Sequence, residues 1–205
     1  MDNATRARLI ERLRTVPAAN IGDGMERLGL LDSSVHSVWP GARVVGPAFT
    51  VWTRSGDNLF IHKALDECNP GDVIVVNGHG DLSRALIGEL IGARAAAKGI
   101  AGFVIDGAVR DAEGLQGYGM PVFARAITPA GPYKFGPGRL QVPIAVGGVA
   151  VLPGDLIVGD GDGVAVIPTA MAEAVTEAAE AVQIDEAERR QRYESGIPAA
   201  AGERR

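Results

Sequence analysis

Short runs of consecutive apolar residues, set off by turn residues, organise the middle of the chain. Val73-Ile74-Val75-Val76 follows Pro70-Gly71-Asp72, Phe103-Val104-Ile105 ends in Asp106-Gly107, and Leu156-Ile157-Val158 follows Pro153-Gly154-Asp155. Runs of this kind predict buried strands. The shared Pro-Gly-Asp is turn chemistry and not a repeat of the chain, because only the turn and the apolar residues after it match. Residues 42–53 (ARVVGPAFTVWT) and 120–128 (MPVFARAIT) read as further strands, and 153–168 (PGDLIVGDGDGVAVIP) as two strands joined at a Gly/Asp turn.

Helical spacing marks the remaining elements. Residues 3–16 predict a first helix, and 20–30 (NIGDGMERLGL) a second, with Asn20 as cap and Gly29 as stop. Residues 83–99 (SRALIGELIGARAAAKG) are rich in Ala and Leu and end at Lys98-Gly99, where glycine suits a left-handed cap. Residues 112–119 give a short helix. A last helix starts near Pro168-Thr169 with Val175, Ala178 and Val182 on one stripe, acids early and Arg189, Arg190 and Arg192 late, as the helix dipole favours. The stripe weakens after Ile184. The βαβαβ order of the centre predicts an α/β fold with parallel pairing.

Composition narrows the function classes. A chain of 205 residues with 46% hydrophobic and 22% charged residues is expected to form a single domain over residues 1–205. The core is expected over about 20–168 and the C-terminal helix over about 169–195. A net charge of −5 gives no basic field for nucleic acid. One cysteine, Cys68, rules out an intrachain disulfide. No signal peptide is legible, and no segment reaches the roughly 20 continuous apolar residues of a membrane span. The expectation is a cytoplasmic protein with no membrane partner.

Candidate chemistry gathers at two places. Arg110 and Asp111 follow a buried strand end, where ligands of open α/β sheets bind. Adjacent residues there are expected to face separate partners: an aspartate suits a hard divalent cation and an arginine a substrate carboxylate or enolate. The bland alternative is an aspartate capping the helix that begins at Ala112 and an arginine in solvent. Gly78 and Gly80, read as lying between a strand and a helix, offer an anion site, though Ser83 stands where a dinucleotide fingerprint needs its third glycine. Gly88 inside the predicted helix costs roughly 1 kcal/mol against alanine, which points to a close approach of ligand or sheet. Of His36, His62 and His79, only His79 is read as a site neighbour, the others as structural or surface residues. Asp160 and Asp162 read as turn residues. Lys98 and Lys134 sit where a desolvated Schiff-base amine is not expected, and Cys68 has no activating neighbour.

These residues carry a resemblance. Residues 77–111, with Gly88-Glu89-Leu90 and DGAVRD at 106–111, and residues 133–168 resemble the 4-hydroxy-4-methyl-2-oxoglutarate aldolases of the superfamily named for the regulator of ribonuclease activity A. The resemblance implies a swivelling β/β/α domain with flanking N- and C-terminal helices, assembled as a homotrimer or a dimer of trimers. It implies a metal-dependent lyase that releases pyruvate from a small 2-oxo acid substrate, with oxaloacetate decarboxylase activity through a pyruvate enolate. Asp111 is then the ligand of Mg²⁺, Mn²⁺ or another divalent metal, and Arg110 the group that binds pyruvate and its enolate. Gly88, Glu89, Leu90 and Ile91 form the stretch that holds the substrate. Glu89 orders metal-bound water, and Glu186, with Glu188 as the other candidate, reaches in from the next subunit. The proton acceptor implied for aldol cleavage is a water relayed through Glu89 or Glu186. The alternative within the superfamily is a non-catalytic regulator that binds a ribonuclease; a dinucleotide-dependent oxidoreductase is the weaker rival.

Overall fold

The computed structural model describes residues 1–196. Helices α1 (Asn3–Leu13) and α2 (Ala18–Gly24) precede strands β1 (His36–Ser37) and β2 (Val44–Thr53). The centre runs α3 (Leu59–Glu67), β3 (Val73–Ala85), α4 (Glu89–Lys98), β4 (Gly102–Val109), α5 (Ala112–Gly117) and β5 (Val122–Ile127). Then come β6 (Gly138–Leu140), β7 (Ile144–Val146), β8 (Val149–Val151), β9 (Leu156–Asp160), β10 (Gly163–Ile167) and α6 (Ala172–Glu194).

The fold is mixed α/β, as the sequence predicts. One sheet has the order β1-β5-β4-β3-β2-β9-β10, with β6 also paired to β2, and β7 and β8 pair separately. Strands β2 to β5 are mutually parallel, whereas β1, β6 and β9 add antiparallel. Burial follows from that topology, because helices cover the parallel strands: Val73 to Val76 and Phe103 to Ile105 are fully buried. Ile61, Leu65, Ile91 and Leu115 of α3, α4 and α5 pack on Ile74, Val76, Phe103 and Ile105 on one face. Val75, Val104 and Phe123 meet Ile144, Val146 and Val151 on the other. A third cluster joins Leu9, Leu13, Ile21, Val175 and Ala179 of the terminal helices to Leu156, Val158 and Ile167 of β9 and β10. Burying each such large side chain contributes roughly 1.5–3 kcal/mol.

Three local expectations are corrected. The helix predicted from Ser83 begins at Glu89, because residues 77–85 stay in the sheet: β3 continues past two register shifts to pair Asp81 with Gly107 and Ala85 with Ala108. Tertiary pairing overrides the helix propensity of Ala and Leu here. Gly78 and Gly80 therefore lie inside a strand, and the predicted anion site at a helix start does not form there. The second helix spans only Ala18–Gly24; Asn20 is buried within it and does not cap it, and Glu26 and Arg27 take positive φ as the chain turns away.

The remaining punctuation follows expectation. Gly99 closes α4 in the left-handed conformation, with φ 76°. Asp160 and Gly163 close the β9–β10 hairpin, and Asp160 also accepts from the Ala18 amide at 2.8 Å. On α6, Ala172, Val175, Thr176 and Ala179 are buried, and by Ile184 the stripe is 62% exposed.

Candidate active site

The carboxyl ends of β3 and β4 build the site side by side. Leu86 N–H donates to the Ala108 carbonyl at 2.8 Å and Arg110 N–H to the Ile87 carbonyl at 3.0 Å, so Ile87-Gly88 and Arg110-Asp111 leave the sheet as a pair. Asp111 stands at the N-cap position of α5 with φ 55° and ψ 46°, yet its side chain makes no capping bond there. The left-handed turn swings the carboxylate to the neighbouring segment, where Oδ2 accepts from Glu89 N–H at 3.1 Å. The cap on its own helix, the bland alternative, is absent. So is the expected independence of the two charges: Arg110 Nε lies 3.4 Å from Asp111 Oδ2, because the same turn brings the carboxylate back over the arginine.

Gly88 is required by this packing. A Cβ at residue 88 would stand 2.4 Å from Asp111 Oδ2 and 2.9 Å from Arg110 Cγ. Its backbone is extended, so the constraint is space and not φ. Gly88 precedes the helix, so the propensity cost expected of a glycine in mid-helix does not arise. Gly114 does the same for Glu89, whose carboxylate would meet a Cβ there at 2.8 Å. Leu90 and Ile91 follow in the first turn of α4, where backbone N–H groups lack intrahelical acceptors. The Ile91 amide already bonds the Gly88 carbonyl at 3.1 Å, and the Leu90 side chain is 83% exposed.

A cleft of about 140 Å³ opens beside these groups. Gly88, Leu90, Ile91, Arg110 and Asp111 line it, and Asn58, His62 and Lys134 face them. Sequence reasoning missed those three. Asn58 and His62 are one helical turn apart at the start of α3, a weak signal that a scan for metal-binding histidine spacings passes over. His79, the histidine singled out, instead accepts from the Trp52 indole N–H at 3.1 Å in a separate groove with Arg54 and Arg139. Burial, and then the positive charges of Lys134 and Arg94, hold His62 below the usual histidine pKa, against the opposing pull of Asp66.

Glu186 lies elsewhere in the chain. It stands on α6 and accepts from Asn20 Nδ2 at 2.8 Å, so one chain does not bring it to Arg110 and Asp111. Glu188 is exposed on the same helix. Cys68 is buried, and burial pushes its thiol pKa up, away from nucleophile chemistry. The Lys98 ammonium donates to the Leu65 carbonyl at 2.6 Å, far from a catalytic role.

The donors present fit a hard divalent cation. Asp111 is half-exposed, and its Oδ1 accepts no hydrogen bond among the described residues. No set of three or more His, Cys, Asp or Glu side chains among the described residues could enclose a metal unaided. One carboxylate with open space around it matches Mg²⁺, which keeps most of its waters and takes one or two protein carboxylates.

The chain resembles known proteins over most of its length. A protein of Halalkalibacterium halodurans, named provisionally as a 4-hydroxy-4-methyl-2-oxoglutarate aldolase, is 43% identical over 190 residues, covering 93% of this chain and 90% of its own. An uncharacterized protein from Pseudomonas syringae superposes with TM-score 0.86 at 30% identity, over 94% of this chain and 91% of that one. Streptomyces coelicolor RraAS2, described as an unusual member of the RNase ES inhibitor RraA family, gives TM-score 0.80 at 31% identity, over 92% and 97%. No helix among the described residues is long and apolar enough to cross a membrane. The model of the RraA-like family, Aldolase/RraA, matches residues 18–166, and the chain belongs to that family.

Proposed function

We propose that this protein is a divalent-metal-dependent lyase that cleaves a 4-hydroxy-2-oxo acid, such as 4-hydroxy-4-methyl-2-oxoglutarate, to pyruvate, and that it also decarboxylates oxaloacetate. The observation that carries the reading is the orientation of Asp111: it forgoes the cap of its own helix and turns beside Arg110 over a glycine that leaves room for little else. Asp111 would hold the metal, which when bound polarises the 2-oxo group of the substrate. The Arg110 guanidinium stands where negative charge gathers as the C3–C4 bond breaks, and charge-assisted donation favours the enolate over the neutral ketone. The Leu90 amide, in the first turn of α4, and the Lys134 ammonium would supply donors for substrate carboxylates.

The two reactions share the enolate and differ in one proton. Aldol cleavage needs an acceptor for the C4 hydroxyl proton, whereas loss of CO₂ from oxaloacetate does not. Assembly as a homotrimer or dimer of trimers, with Glu186 entering a neighbour's site, belongs to the same proposal.

The test is pyruvate release from both substrates with added Mg²⁺ and after EDTA, corrected for metal-promoted decay of oxaloacetate. Turnover that EDTA abolishes and Mg²⁺ or Mn²⁺ restores supports the lyase. No turnover from folded protein would contradict it. The likeness to a ribonuclease inhibitor family favours a second reading, a regulator binding a ribonuclease, which would act without metal and independently of Asp111.

A further inference from the structure

A larger cavity, of about 870 Å³, lies at the amino ends of β3 and β4, opposite the cleft of Arg110 and Asp111. The stripe Arg6, Ile10 and Arg14 of α1 forms one wall, and the turns at 69–72 and 99–101 form another. The arginines of α1 divide into two sets. Arg8 and Arg12 meet the carboxylates of Glu173 and Glu180 on α6 at 2.7 and 2.5 Å. Arg6 and Arg14, on the cavity side, meet no carboxylate from another element among the described residues: Arg6 Nη1 reaches only Asn3 Oδ1 at 3.4 Å, and Arg14 Nε only Glu11 of its own helix at 2.9 Å. The third arginine on the cavity, Arg43, is fully engaged: it donates to the carbonyls of Leu13, Arg14 and Val16 and to Asp160, which pins the end of α1. Asp72, the one acid on the lining, already accepts from Asn69 N–H at 2.8 Å.

We propose that this cavity binds a small organic dianion, a ligand with two carboxylate or phosphate groups, one held by Arg6 and the other by Arg14. Eight residues of helix separate the two, about 12 Å along the axis, within reach of two long side chains closing on one ligand. Guanidinium suits such heads because its parallel N–H donors match two oxygens of a carboxylate or phosphate. Ile10, Val45 and Pro47 offer an apolar wall for the carbon body between the heads. The lining carries three arginines against one aspartate in a chain of net charge −5, so the preference for anions is local to the cavity and not a property of the whole surface. Small-molecule sites occupy roughly 300–1,000 Å³, and this volume falls within that range. The site is separate from the lyase cleft and does not depend on that reading.

The experiment is calorimetric titration of the full-length protein with glutarate and, separately, with a hexose bisphosphate, which distinguishes carboxylate from phosphate heads. Wild type is compared with Arg6→Gln, Arg14→Gln and Arg8→Gln, the last altering an arginine of the same helix that faces Glu173 instead of the cavity. The expected result is saturable binding of at least one probe, weakened about tenfold or more in Arg6→Gln and in Arg14→Gln and unchanged in Arg8→Gln. Asp111→Ala, which alters the cleft, should bind the probe as wild type does. Melting curves without ligand show whether the variants are folded. No binding of either probe at millimolar concentration overturns the proposal, as does binding that Arg6→Gln and Arg14→Gln leave at wild-type strength. Binding that is lost in Asp111→Ala and kept in Arg6→Gln would place the anion at the cleft and contradict it equally.

Discussion

Gly88 concentrates the requirements of the site in one position. Because a Cβ there would collide with both Asp111 and Arg110, Gly88→Ala should displace the pair that the chemistry needs. Overpacking of this kind costs about 1–3 kcal/mol. The expected outcome is a modest loss of thermal stability with a loss of turnover of about 100-fold or more, since small displacements of positioned groups are expensive in rate. Gly114→Ala should act more mildly by displacing Glu89 alone; parallel melting curves and kinetics distinguish the two. The Arg110-Asp111 pair itself was legible in the sequence as two charges at a strand end. The left-handed turn that joins them was not, because aspartate carries no strong local demand for positive φ.

At the scale of elements, the site depends on how the loop before β6 is tied down. Asp57, fully buried, accepts from the amides of Leu59, Phe135 and Gly136 at 3.0, 2.7 and 2.9 Å. Arg84 donates to the Gly131 carbonyl and to the Tyr133 hydroxyl, both at 2.9 Å, and stacks on that ring. These bonds hold Pro132 and Lys134 at the cleft. Asp57→Asn turns an acceptor-only group into one that faces donors with a donor, at a cost of about 1–3 kcal/mol. Denaturant unfolding should show that loss, and KM should rise as Lys134 moves. The strands and the Pro-Gly-Asp turns were readable because apolar runs and glycines at positive φ, such as Gly71 and Gly154, act locally. The start of α4 was misread because pairing of β3 with β4 is a long-range fact that no local propensity encodes. His62 was missed for the same reason: only folding brings α3 to the end of β4.

For the molecule as a whole, the terminal helices form a layer of their own on β9 and β10, away from the cleft. Arg12 and Glu180 join α1 to α6 at 2.5 Å, and Arg12 lowers the Glu180 pKa below its usual value of 4.5. Its contribution is therefore full above that value and is lost as pH falls through the lower folded pKa. For a partly exposed pair the contribution is about 0.2–1 kcal/mol. Glu180→Gln should thus destabilise slightly at neutral pH, and the difference from wild type should vanish in acid, as melting curves against pH would show. Glu186 tests the assembly. If it completes a neighbour's site, co-assembled Asp111→Ala and Glu186→Gln chains should recover activity that neither homogeneous variant has, up to about a quarter of wild type for random cyclic mixing. No recovery would place Glu186 outside the site.

The most direct test of the central claim is pyruvate release from 4-hydroxy-4-methyl-2-oxoglutarate at saturating Mg²⁺ by wild type and by Asp111→Ala, at equal concentrations of folded protein. The site geometry predicts turnover in wild type and a loss of about 1,000-fold or more in the variant, as expected when a group that holds the polarising cation is removed. Equal rates in the two proteins, or none in wild type, would contradict it.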